Sequence, residues 1–151
     1  MGKINLGRVI MGGLVAGLVI NIVEFLTNAV LFKQEWHDAT VALGKSGEFT
    51  TKQIVGFNVY GFALGILIVF TYAAIRSRFG AGAQTAMCAG ALVWALNSAL
   101  PNAFNSFLHL YPLSLLITMT GIELAMSVIA GVAGAYFYKE DGAPQAMSAR
   151  A

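Results

Sequence analysis

The chain has 151 residues, 58% of them hydrophobic and 11% charged, with a net charge of +2. With a mean hydropathy of +0.73, a soluble globule is excluded, since a chain this small has too little interior to hide so much apolar surface from water. The basic residues lie scattered at turns and ends, which excludes a nucleic-acid surface, and the single cysteine, Cys88, excludes an intramolecular disulfide and a CxxC redox centre.

Lipid is the solvent that suits this composition, and spans then appear as apolar runs of roughly 20 residues. Four such runs are predicted, over about 6–32, 54–75, 81–108 and 113–138. The first exceeds the apolar region of a signal peptide and is interrupted by Glu24, so it is read as a retained span. Within it, "NIVEFLTN" sets Glu24 between Asn21 and Asn28, and a helical seam of Gly13, Gly17, Asn21, Glu24 and Asn28 follows. Segment 33–53 is predicted to lie in the interface, with Trp36 as an anchor beside His37, before Thr50 or Thr51 caps the second span.

The second span presents Asn58, Gly61, Gly65 and Tyr72 on one face, and a tight turn, "RSRFGAG", joins it to the third. The third carries Ala86, Gly90, Asn97, Pro101 and Asn105, with Ser98, Asn102 and His109 alongside. Pro101 removes a backbone N–H, so a kink and a free carbonyl at Asn97 are expected there. The fourth presents Thr120, Glu123, Ser127, Ala130 and Gly134, and the polar tail 139–151 is expected to be disordered. Lipid cannot satisfy these polar seams, so they are expected to face inward in an all-α four-helix membrane bundle. Laying 16–31 on 90–105 pairs Leu18 with Leu92, Val19 with Val93, Leu26 with Leu100 and Asn28 with Asn102, a pattern compatible with two tandem helical hairpins.

Six basic residues, Lys3, Arg8, Arg76, Arg78, Lys139 and Arg150, fall at the two ends and the middle turn, against three in segment 33–53. The positive-inside rule then places both termini in the cytoplasm, as for a bacterial inner-membrane protein. In that orientation Glu24 lies about 12 Å below the outer end of its span and Glu123 about 15 Å below the start of its own. The inner half of the seams is nearly all Gly and Ala, while the outer half holds the acids and asparagines. The expected shape is tight inside and splayed outside, with a polar cavity lined by Asn21, Asn28, Asn58, Asn97, Ser98, Asn102, Asn105, Thr120 and Ser127, and a mouth near Trp36, His37 and His109.

No Lys or Arg lies at the depth of Glu24 and Glu123. An ionised carboxylate is costly there, so at least one acid is expected to hold its proton, and if the two meet they share a proton or hold a cation. The structural reading of the same residues is two neutral acids hydrogen-bonded to Asn and Thr neighbours, which only hold helices together. No HxxxH or ExxH spacing is present, no His lies at mid-membrane depth for a haem, and no phosphate loop or nucleophile elbow appears, so neither metal nor cofactor is predicted. Trp94, Tyr60 and Tyr72 are read as packing residues that also suit a pocket for an apolar or cationic ligand.

The first span followed by "LFKQEW" and "ALGK", the tryptophan-bearing "VWALNSALPN" and a small-residue fourth span resemble an uncharacterised family of small four-span bacterial membrane proteins, a domain-of-unknown-function family. That resemblance covers most of the chain and implies a fold without an activity. Glu24 is also similar in position to the acid of small multidrug-resistance transporters, four-span dimers that exchange protons for cations. The long segment after span one and the second acid, Glu123, depart from that compact pattern. "NIVE" matches the Asn-x-x-Glu element of membrane glutathione transferases, but the arginines that accompany it in that family are missing here. The expected function is therefore binding or translocation of a small solute, a cation or protons. An accessory subunit of a larger membrane complex, or a homo-oligomer, is the alternative, and a membrane enzyme using the acid pair is the weaker one.

Overall fold

The structure is a computed structural model and describes residues 4–140. Every regular element among the described residues is helical. Helix α1 (Leu6–Glu24) runs straight into a π-helical stretch, Phe25–Leu31, and is followed by the short α2 (Lys33–Ala42) and the long α3 (Thr51–Phe79). Helix α4 (Ala83–Trp94), a second π-helical stretch (Ala95–Ala99) and α5 (Leu100–Phe107) succeed one another without an intervening coil residue, and α6 (Leu113–Tyr136) closes the series. Three helices are long and apolar enough to cross a membrane: Leu6–Leu31, Thr51–Phe79 and Leu113–Tyr136. The third predicted run is helical as well, but it is divided into pieces of 12, 5 and 8 residues.

Local chemistry sets the boundaries. Asn5 caps α1, its side chain accepting from the Arg8 N–H at 2.9 Å. Helix α3 starts earlier than its apolar run because Thr50 and Gln53 form a capping box, with Thr50 N–H donating to Gln53 Oε1 at 2.8 Å. It also runs on past Ile75, since Arg76 and Arg78 suit the negative end of a helix dipole, and stops at Gly80, whose φ of 86° favours glycine. Lys33–Ala42 is helical, and Gly44 and Gly47, both at positive φ, turn the chain back toward α3.

The helices pack through their small residues. Gly13 faces Ile66 and Gly17 faces Phe62, so α1 and α3 run antiparallel, and a Cβ added at Gly65 would lie 2.7 Å from Gly17 Cα. A Cβ at Gly134 would lie 2.7 Å from the Gly12 carbonyl, and Asn5 reaches Tyr138, so α6 runs antiparallel to α1. Gly131 meets the Ala86 carbonyl and Gly90 meets Ser127, which sets α4 antiparallel to α6 in the same way. Val9, Ile20, Ile68 and Val69 fill the spaces between these crossings and are the largest fully buried side chains. A smaller cluster of Ala39, Leu115 and Met119, flanked by Phe32, Trp36 and Tyr111, fastens α2 to the start of α6. Large apolar side chains such as Phe25, Leu31, Phe79, Phe107 and Tyr136 remain exposed, as lipid-facing residues would. Cys88 is exposed as well, outside the small-residue packing its neighbours take part in.

A polar knot closes the end where α3 finishes. The Arg76 guanidinium lies between the rings of Tyr72 and Tyr138, 5.6 and 5.2 Å from their centroids, and its Nε is 3.2 Å from Glu140 Oε1. The Asn5 N–H donates to the Tyr138 hydroxyl at 3.4 Å, and the Gly82 N–H to the Tyr72 hydroxyl at 3.3 Å. Of the tail expected to be disordered, Glu140 is thus held by an ion pair, and residues 141–151 lie outside the described residues.

A candidate site around Glu24 and Glu123

The helix register brings the two acids to one level. Gly12 packs on Gly134 where α1 crosses α6. Moving along α1 to Glu24 advances about 18 Å, and moving back along α6 to Glu123 advances about 16 Å the same way. Both side chains are half-buried, and their carboxyl groups lie within electrostatic reach of each other and of the Tyr60 phenol from α3.

Each acid has its own set of neutral donors. Asn28, one turn beyond Glu24, donates through Nδ2 to the Glu24 carboxylate and to the Glu24 carbonyl at 3.1 Å. Thr27 is buried and donates to the carbonyls of Val23 at 2.8 Å and Glu24 at 3.3 Å. These side chains occupy carbonyls at the point where the α-helical ladder gives way to the wider π-helical turn.

Glu123 accepts from Asn102, whose Nδ2 lies 3.4 Å from Oε2, and the Ser98 side chain stands near the same carboxyl group. The same Asn102 amide donates to Thr120 Oγ1 at 2.9 Å, and that hydroxyl in turn donates to the Leu116 carbonyl at 2.7 Å. Ser98 is buried and accepts from Asn97 Nδ2 at 3.4 Å, while Asn97 Oδ1 accepts from the Tyr60 hydroxyl. Hydrogen bonds therefore run from Tyr60 on α3 through Asn97 to Ser98, which stands beside Glu123 of α6. Trp94 adds a further tie, its Nε1 donating to the Thr120 carbonyl at 2.9 Å.

The π-helical turn Ala95–Ala99 carries Asn97 and Ser98 and stands directly before Leu100 and Pro101. The Leu100 N–H donates to the Ala95 carbonyl, five residues back, so the ladder has already slipped where Pro101 lacks its donor. The backbone disturbance expected at Pro101 thus takes the form of a widened turn on its N-terminal side.

The other candidate residues lie apart from the acids. Asn21 Nδ2 donates to the Gly17 carbonyl at 2.9 Å and across to the Asn58 carbonyl at 3.2 Å, a pin between α1 and α3. Asn58 is exposed and turns its own amide to the Ile54 carbonyl at 2.8 Å. Ser127 is buried against Gly90, on the Gly/Ala side of the structure. Asn105 is half-buried, and its carbonyl accepts from the Leu110 N–H at 3.2 Å. His37 Nδ1 lies 3.2 Å from the Gly47 carbonyl and closes the loop after α2, and Trp36 packs edge-on against Tyr111 at 5.5 Å. His109, at a φ of 52°, lines a separate cavity between α2 and the start of α6.

Three residues of the cluster go beyond what the sequence pattern assigned. Tyr60 and Trp94, expected to pack, are its hydrogen-bonding aromatics, and Thr27 lies off the predicted seam. A cleft of about 380 Å³ between α3 and α4 ends at the Tyr60–Asn97 pair and is otherwise lined mainly by aliphatic groups such as Leu64, Leu67 and Leu92. Among the described residues, no group of three or more His, Cys, Asp or Glu side chains is placed to hold a metal ion. The donors at hand are two carboxyl groups, amides and hydroxyls, which suit a proton or a weakly held cation. No family model, curated protein or solved structure matches the chain.

Proposed function

We propose that the chain is a four-span helix bundle in a bacterial-type inner membrane, with Ala83–Phe107 as the third span, both termini cytoplasmic, and an outward-facing polar cavity that binds or translocates protons or a small cation. This is the reading in which the resemblance to small four-span bacterial proteins also fits. One observation carries it: Glu24 and Glu123 reach one level from different helices, amid neutral hydrogen-bonding groups. Two carboxyl groups at membrane depth without a cationic partner cannot both be charged at low cost. Taking up a proton or a cation relieves the repulsion, and releasing it restores the demand, which is the chemistry of a binding site.

The subunit reading has an observation of its own. Every residue from Thr51 to Tyr60 is exposed, including the polar Asn58, and a partner helix or a second copy would cover that end of α3. Reconstituted liposomes with an entrapped pH dye distinguish the two. Under an imposed pH gradient with and without monovalent cations, wild-type protein is expected to give a flux that Glu24→Gln and Glu123→Gln abolish. A flux unchanged in both variants would move the assignment to the subunit reading.

A further inference from the structure

A cavity of about 700 Å³ lies away from the acid pair, between α2 and the segment that leads into α6. Its lining divides by chemistry. Glu35 and Asp38 stand on one side of it, one turn apart on α2, and no Lys or Arg lines the cavity. Glu35, in the first turn of α2, also suits the positive end of that helix dipole, but Asp38 lies beyond that turn. Asp38 Oδ1 accepts from the uncharged Gln34 amide at 2.8 Å, and among the described residues neither acid has an ion-pair partner, so the negative charge of this wall is not neutralised by them. Phe32 and Tyr111 present rings to the same space, and the faces of aromatic rings attract ammonium groups.

The opposite wall is the start of α6. Pro112 stands at the cap position and no side chain caps the helix, so its first-turn N–H groups face this end, with Ser114 beside them. That end favours an anion, and the acid wall favours a cation. Between them Ala39 and Leu115, both buried, form an apolar floor continuous with Met119. Cation, anion and apolar chain are the three parts of a zwitterionic lipid.

We propose that the cavity between α2 and the start of α6 binds a phospholipid with an ammonium headgroup, its amine at Glu35 and Asp38 and its phosphate at the first turn of α6. The site rests on the membrane placement proposed above and is independent of Glu24 and Glu123. Lipid held here bridges α2 to α6 and sets the depth of the interfacial helix.

Native mass spectrometry of the full chain, released from micelles doped with equimolar phosphatidylethanolamine and phosphatidylglycerol of matched acyl chains, reads the preference directly. Two partly solvated charge contacts correspond to roughly a three- to tenfold excess of phosphatidylethanolamine adducts. The exposed pair Glu35→Gln and Asp38→Asn keeps the shape of α2 and is expected to bring the ratio to about one. Glu24→Gln, tested alongside, is expected to keep the wild-type ratio, so a failure at the acid pair and a failure at this cavity are read separately. Equal adducts of the two lipids on wild-type protein, or a preference that survives the double substitution, overturns the proposal.

Discussion

Gly65→Ala tests whether backbone contact, rather than side-chain packing, joins α1 to α3. A Cβ at position 65 would overlap Gly17 N and the Gly13 carbonyl oxygen and lie 2.7 Å from Gly17 Cα. All three are main-chain atoms, so no rotamer change can relieve the overlap, and the helices must part by about 1 Å to restore ordinary contact. Overpacking of a close interface costs about 1–3 kcal/mol, and parting two helices along their length belongs near the top of that range. The intrinsic gain of replacing glycine by alanine in a helix returns about 0.5–1 kcal/mol, leaving a net loss of about 2 kcal/mol. Gly56→Ala supplies the control, because nothing lies within 4 Å of a Cβ there, and only the intrinsic gain should appear. Reversible unfolding of the purified protein in mixed micelles, followed by tryptophan fluorescence, measures both variants. A Gly65→Ala protein that is stabilised as much as Gly56→Ala would refute the close crossing.

Two further outcomes follow from the Arg76 knot and from the proposed orientation. Arg76→Ala removes two cation–π contacts and the ion pair to Glu140, with side-chain exposures of 16% and 24%, and should cost about 1–2 kcal/mol, read as a lower melting temperature. Arg76→Lys should recover part of the loss, since an ammonium keeps the charge without the planar guanidinium, and equal melting of all three proteins would dismiss the knot. Ser46→Cys in a Cys88→Ala background should react with a membrane-impermeant maleimide added to intact cells; reaction only after permeabilisation would reverse the proposed orientation.

The apolar runs were legible because a span is defined by length and hydropathy, and three of them stand as helices long and apolar enough to cross. The cap of α3 was legible too, as one of two threonines, and Thr50 takes it; its C-terminal end was less so, because the basic last turn extends the helix beyond the apolar run. Pro101 announced a disturbed backbone, yet the π-helical stretch Phe25–Leu31 contains neither Pro nor Gly and left no mark in the pattern. That stretch is also where Thr27 becomes buried, off the seam drawn with an unbroken helical period. Glu24, Glu123, Ser98 and Asn102 could be grouped from depth alone, because depth is counted along a helix. The roles of Tyr60 and Trp94 could not, because they depend on the register between helices. The Arg76 knot was hidden for the same reason, since Tyr72, Tyr138 and Glu140 meet only through topology.

The distribution of small residues bears on what the proposed cavity can do. On the side of Gly12, Gly13, Gly17, Gly65 and Gly134, main chain comes against main chain, with the side chains of Phe62, Ile66 and Val69 packed beside it. Rotamer changes at these side chains do not part the main-chain contacts, so they alone do not open a passage through that half. It requires α1 to separate from α3 and α6 as a body, breaking contacts along several turns at once. The Arg76 knot joins the end of α3, the Asn5 cap of α1 and the segment after α6, so it resists the same separation. Release of a bound cation toward that side would therefore be coupled to loosening of the knot, whereas the opposite side carries the half-buried acids and two π-helical stretches. Arg76→Ala then has two readouts: a lower melting temperature in either case, and a faster flux in liposomes only if translocation proceeds through this half. A lower melting temperature with unchanged flux would confine the acid pair to binding from the side opposite the knot.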